Sequence, residues 1–190
     1  MSAPSGSQGA IHYQVSSHGK TVYVRCHGLA NMKNAPVLDA YLDNARTSGS
    51  HTACIDLAET TGMDSTFMGM LVGQGHSFEK AGGKLVVVRP SERSVRLLKM
   101  LGIFEVLPVV ENCAMPDLQF VPLQDDGGLN LAQRMELVRR AHQSLSVLSE
   151  ANHAKFSDFL NALEKDLSKQ RAGISVAVAA PPVAPVAPPR

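Results

Sequence analysis

The 190-residue chain is short of the features that mark several large protein classes. It has no run of about 18 apolar residues, so nothing in it reads as a membrane-spanning helix. Its three cysteines, Cys26, Cys54 and Cys113, are far apart and form no CxxC pair. That argues against a disulfide framework and a thiolate metal site, and it fits a reducing cytoplasm. The seven histidines (His12, His18, His27, His51, His76, His142 and His153) show neither HExxH nor paired-ligand spacing, so no metal is expected. An excess of one charge is also missing. The net charge is +1, against the basic surplus of proteins built to neutralise nucleic-acid phosphates, and no nucleic-acid partner is expected. Residues 1–10 are rich in Ser, Gly and Ala without the cationic start and apolar core of an export signal; they read as a flexible lead-in to a soluble, cytoplasmic protein.

What is present is ordered by hydrophobic period. Ile11, Tyr13 and Val15 alternate with polar residues, as do Val22, Val24 and Cys26, across a Ser17-His18-Gly19-Lys20 turn; this predicts a hairpin with one buried face. Gly28 breaks the second strand. After Asn34, Pro36 opens a helix with Val37, Leu38, Tyr41, Leu42 and Ala45 at helical spacing, ending before Ser48-Gly49. Ala53–Leu57 and Lys84–Val88 are short runs apolar on successive positions, as in parallel strands covered on both faces. Between them a helix begins after Asp64, with Met68, Leu71, Val72, Gly75 and Phe78 as its stripe and Gly82-Gly83 as its stop. Ser91 can cap a further helix carrying Val95, Leu98 and Leu101, and Phe104–Val110 reads as a last strand. This order predicts an α/β fold: an antiparallel start, then β-α-β crossovers onto one mixed sheet.

From Cys113 to Gly128 the pattern lapses. Asn130 with Gln133 then resembles a capping box and opens a stripe of Leu131, Met135, Val138, His142, Leu145, Leu148, Phe156, Phe159, Leu163 and Leu167. Such a stripe is too long for so small a domain. It either folds back as a hairpin near Ser149 to Asn152 or docks on another chain through Leu145, Leu148, Phe156, Phe159 and Leu163. The predicted division is 1–10 lead-in, 11–118 sheet domain, 119–129 linker, 130–171 amphipathic helical extension and 172–190 disordered Ala/Pro-rich tail.

Several pieces fall in register with one family. Asp56-Leu57, Asp64-Ser65-Thr66, Gly69, Leu71, Gly82-Gly83, Leu85–Val88 and Leu101–Pro108 resemble the STAS domain of anti-sigma factor antagonists over roughly residues 11–118. The resemblance implies a STAS-type mixed sheet, followed here by a long C-terminal helix or helical hairpin. It also implies a non-catalytic module that binds an anti-sigma factor/serine kinase of the histidine-kinase-like ATPase type. Phosphorylation at Ser65 would switch that binding off and a serine phosphatase would reset it. Asn31, Asp64, Ser65, Thr66, Phe67 and Met68 are the implied partner contacts. Phe67 stands where the family usually has Gly, Met68 where it has Leu, and Asn31 where it commonly has Asp.

The residues themselves allow such a switch. Asp64 is placed to cap the helix, which puts Ser65 first in it with its hydroxyl at the rim. A helix N-terminus tolerates a phosphate, so modification would change the surface more than the fold. Phe67 and Met70 fall off the apolar stripe and are expected to meet a partner. Enzyme chemistry finds little support: Gly69, Gly73 and Gly75 lie inside the helix without a phosphate-loop arrangement and are expected to serve close helix–sheet packing, and Ser65 is in no GxSxG elbow. Arg89, Arg93, Arg96 and Lys99 read as a solvated face. The alternative is a constitutive scaffolding or oligomerisation module whose long C-terminal helix assembles it and whose Ser65 only caps.

Overall fold

The computed structural model describes residues 12–124 and 129–178, with side chains through residue 169. Ile11, the lead-in, residues 125–128 and residues 179–190 lie outside the described residues. The predicted hairpin is β1 (Tyr13–His18) with β2 (Thr21–Ala30), paired antiparallel from Tyr13 opposite Cys26 to His18 opposite Thr21. Three parallel strands follow, β3 (Thr52–Met63), β4 (Lys84–Val88) and β5 (Val109–Val110), joined through α1 (Ala35–Thr47), α2 (Ser65–Lys80) and α3 (Glu92–Met100). The sheet order is β5-β4-β3-β2-β1-β6, the sixth strand being Val121–Pro122. The mixed α/β sheet is therefore the one the periodicity predicts. Its core joins Val22, Val24, Ile55, Leu57, Leu85 and Val87 of the strands to Leu38, Leu42, Leu71 and Phe78 of the helices.

Four boundaries differ from the predicted ones. β3 runs on through Ala58–Met63, where polar residues give no readable alternation, and it pairs with His27–Gly28 of β2 after one register shift and with Leu29–Ala30 after a second. The predicted strand Phe104–Val110 is mostly not strand. Gly102, at φ 72°, breaks the chain into a 3₁₀ turn over Ile103–Glu105, and Pro108, which lacks an N–H, delays pairing to Val109. Within the predicted linker, β6 adds to the free edge of β1, Val121 opposite Val15 and Pro122 opposite Gln14; a proline is tolerated there because its missing donor faces outward. At the C-terminal end helix continues to Val178 instead of stopping near residue 171, since the first proline in that stretch is Pro181.

The long stripe is a hairpin. Helix α4 (Leu131–Ser146) opens on the capping box of Asn130 with Gln133, and α5 (Glu150–Val178) follows after a three-residue break. The polar positions make the bend: the Ser149 hydroxyl accepts the Asn152 N–H at 3.1 Å. The buried Asn152 amide donates to the carbonyls of Leu145 and Leu101 at 3.0 Å each, joining the hairpin to the end of α3. Helix α4 lies along α2, and Asp39 of α1, held by Gln74 of α2 at 2.7 Å and Arg140 of α4 at 3.0 Å, ties three helices together. Arg139 bridges α4 to itself and to α5, through Glu136 at 2.6 Å and Glu164 at 3.8 Å.

The helix–helix seam explains two of the glycines. A Cβ on Gly69 would stand 2.1 Å from the Ala141 carbonyl oxygen, and one on Gly73 3.2 Å from the Ser144 hydroxyl. These residues admit α4 to the face of α2, in place of the helix–sheet contact expected for them, while Gly75 makes room for Leu107. Substituting Gly69→Ala is expected to lower the unfolding free energy by about 1–3 kcal/mol in a urea titration, because a backbone carbonyl must move. Gly73→Ala, whose methyl meets only a rotatable hydroxyl and which gains helix propensity, is expected to cost less.

All three cysteines are free. Burial pushes the Cys54 thiol up to about 11, with Cys113 and Asp56 adding to it, and burial raises Cys26 further. A thiol reagent at pH 8 is accordingly expected to label the half-buried Cys113 first and Cys26 last, as read by mass spectrometry over time.

Candidate functional site

Two loops meet at the mouth of α2. β3 ends at Met63, and Asp64, in extended conformation, donates its N–H to the carbonyl of Ala30 at 3.1 Å. One Asp64 carboxylate oxygen accepts the Phe67 N–H at 2.8 Å, which is the predicted cap; the other accepts the Met32 N–H at 2.8 Å from the loop after β2. A single carboxylate thus sets the first turn of α2 and fastens the Asn31 loop to it. Ser65 is the first helical residue and half-buried, as its position after the cap predicts. Asn31 closes its own turn, its side chain accepting the Lys33 N–H at 2.9 Å and its N–H reaching Asn34 at 2.9 Å. Asn34 is in turn held by the buried Tyr13 hydroxyl at 2.8 Å.

The structure thus brings Asn31, Asp64 and Ser65 to one rim, and puts the other predicted contacts elsewhere. Thr66, Phe67 and Met68 are 4%, 0% and 3% exposed, and Met70 is 3% exposed. Phe67 is buried because it stands four residues before Leu71 on the same helix face, and Met70 because α4 is a second neighbour of α2. Exposed apolar side chains at the rim come from the end of β2 and the loop after it: Leu29 and Met32 are 53% and 51% exposed. Their only sequence signal is apolar residues flanking a turn between two elements. Among the residues expected to assemble chains, Leu145 and Phe156 are buried inside this one, Leu148 and Leu163 are partly covered, and Phe159 is 44% exposed.

The contact that sequence reasoning missed is to Ser65 itself. Its hydroxyl lies 2.9 Å from Nε2 of His142 on α4, a residue 77 positions away. Nδ1 of the same ring lies 2.9 Å from the Val138 carbonyl oxygen, which can only accept, so Nδ1 carries the hydrogen. In the neutral ring Nε2 is then the acceptor and the serine hydroxyl donates. The imidazole is 6% exposed, with Phe156 edge-on at 5.1 Å and Phe159 at 4.7 Å between ring centres. A histidine in an otherwise apolar stripe was the available signal.

A second polar cluster lies midway along β2 and β3, beside the end of β4. The buried Asp56 carboxylate takes two hydrogen bonds from Arg89, while Arg25, 4.0 Å from it, lies over the Phe120 ring at 3.8 Å. Arg89 adopts φ 52°, a strained position for a side-chain-bearing residue, to reach that carboxylate. Of the cationic group read as a solvated face, Arg89 is thus a structural partner, and Arg96 pairs loosely with Glu92 at 3.8 Å.

The sheet and its first three helices have known relatives. The family model described as STAS domain matches residues 12–114. The anti-sigma-B factor antagonist of Staphylococcus epidermidis is 27% identical over 101 residues, which are 53% of this chain and 94% of that protein. That of Bacillus subtilis (strain 168) is 29% identical over 99 residues, 52% of this chain and 90% of its own. The crystal structure of a candidate anti-sigma factor antagonist from Thermotoga maritima shares the fold, with a TM-score of 0.50 at 18% identity, covering 53% of this chain and 86% of that one. The family match ends before α4, so His142 is contributed by a part of the chain outside it. No helix among the described residues is long and apolar enough to cross a membrane.

The double role of Asp64 has a measurable consequence. Asp64→Ala is expected to cost about 1–2 kcal/mol in urea unfolding and to speed amide exchange at both Met32 and Phe67. Asp64→Asn, with one acceptor oxygen for two N–H groups, is expected to fall between; an alanine variant as stable as the wild type would remove the clamp from the description.

Proposed function

Because the chain belongs to the STAS domain family, we propose that it is a phosphorylation-controlled protein-binding module of the anti-sigma factor antagonist kind, with Ser65 as its switch. Unmodified, it binds an anti-sigma factor that is also a serine kinase of the histidine-kinase-like ATPase type. Phosphorylation of Ser65 releases that partner, and a serine phosphatase restores binding. The module carries out no chemistry of its own. The observation that carries this reading is the capped start of α2, where Asp64 holds Ser65 half-exposed beside the Asn31 loop with Leu29 and Met32 displayed next to it.

The partner contacts are narrower than the family motif implies. Asn31, Asp64 and Ser65 remain candidates, joined by Leu29 and Met32, because Thr66, Phe67 and Met68 are enclosed. A phosphate adds about −1.5 to −2 charges at the centre of that patch, and both repulsion from Asp64 and desolvation then oppose a partner docked over it. The scaffolding alternative draws less support, since the hairpin uses Leu145 and Phe156 to pack its own chain.

Pull-downs from extracts of the native cell with wild type, Ser65→Ala and Ser65→Asp test the switch. Ser65→Asp is expected to weaken capture by about tenfold or more, the equivalent of roughly 1.4 kcal/mol, while Ser65→Ala retains it. Incubation with the captured kinase and ATP is expected to place phosphate on Ser65, read by mass spectrometry. Phosphate found only on other residues would sink the assignment.

A further inference from the structure

We propose that His142 is a built-in phosphate clamp for Ser65: it accepts the serine proton as the phosphoryl group arrives and then holds the phosphoserine with the imidazolium so formed. The inference rests on the switch reading of Ser65 and deepens it. Its observations are the 2.9 Å contact from the Ser65 hydroxyl to Nε2, the 2.9 Å contact from Nδ1 to the Val138 carbonyl, and the half-exposure of Ser65.

The geometry is set before any modification. Val138 holds the ring in the tautomer whose Nε2 lone pair faces the serine, and Phe156 and Phe159 hold its plane. In the transfer, the serine oxygen forms a bond to the γ-phosphorus of ATP and the bond from that phosphorus to the β-phosphate oxygen breaks, releasing ADP. The serine O–H bond breaks and its proton goes to Nε2. Neutral serine, neutral imidazole and ATP thus become a phosphoserine dianion, an imidazolium and ADP, with charge conserved. The new cation and anion are made side by side. A dianion beside a neutral, buried ring would instead face a lone pair and the carboxylate of Asp64 with only the N-terminus of α2 to offset them.

Of the charged groups on the packed elements, Arg140 of α4 is held by Asp39 of α1. Asp64 stands at the start of α2, Lys155 of α5 has its ammonium 5.4 Å from the Phe156 ring centre, and Arg139 of α4 is engaged by Glu136 and Glu164. Replacing the hydroxyl donor with a phosphate acceptor therefore reverses the direction of one hydrogen bond and leaves α4 in place. On this account the hairpin is a component of the switch. It makes the phosphorylated state a defined, closed surface in place of a loosened one.

The test needs neither kinase nor partner. Phosphoserine is installed at position 65 of the full chain by genetic-code expansion, with His142 native and as His142→Gln. The phosphate is then titrated by phosphorus NMR. The clamp predicts that the phosphoserine midpoint, ordinarily about 6, lies lower with His142 than with His142→Gln by about 0.5 unit or more. Equal midpoints would overturn it. Amide exchange of α4 in the native-His142 protein gives a second measurement that depends on no variant. Exchange unchanged or slower on phosphorylation supports the clamp, and exchange faster by about tenfold means that the phosphate expels the helix and overturns it. Either result leaves the pull-down outcome free to succeed or fail, so the clamp and the switch are judged separately.

Discussion

The Asp64 carboxylate is the constraint on which the site depends. With one oxygen on the Phe67 N–H and the other on the Met32 N–H, it joins two chain segments that β2 and β3 bring side by side. The cap fixes where α2 begins, and hence that Ser65 occupies its first position at the rim. The second bond fixes the loop that displays Met32 next to Leu29 at the end of β2. Charge-assisted hydrogen bonds to backbone donors are stronger than neutral ones, which suits a group asked to hold a surface still beside a modifiable hydroxyl.

Around that clamp, α2 is enclosed by the sheet and by α4. The sheet takes its stripe of Leu71, Val72 and Phe78, and α4 takes the side where Gly69 and Gly73 remove bulk. The core accommodates Phe67 where the family pattern has Gly, while Met68 for Leu nearly conserves volume: both fill space inside the chain and add core burial worth about 1.5–3 kcal/mol for each large side chain. The same enclosure brings His142 to Ser65. A helical appendage that first appears to be an independent module is thus part of the site's wall.

Much of this was legible in local chemistry. The cap at Asp64, the stop at Gly82-Gly83, the Ser91 cap and the Asn130–Gln133 box are each set by residues within one turn of one another, and each stands where the spacing places it. The bend at Ser149 was legible as a possibility only, because a polar position permits a break without requiring one. β6 was not legible at all: two residues carry no period, and its pairing is decided by the open edge of β1. Phe67 stands i,i+4 to Leu71 and so shares the face of the stripe, whereas Met70 misleads for a definite reason. An amphipathic stripe marks the face toward the sheet, and it says nothing of a second neighbour on the other side.

The sequence by itself determined the order of elements, the mixed sheet, and the capped helix start with Ser65 on its rim, because these follow from contacts between residues close along the chain and from strand and helix periods. Only the tertiary structure decided which residues around Ser65 face outward and that His142 meets its hydroxyl. That contact spans 77 positions, and it exists because the hairpin folds at Ser149 and because Gly69 lets the Ala141 backbone approach α2. Neither distance is encoded in any one segment; each arises from how closely two separately formed helices can pack.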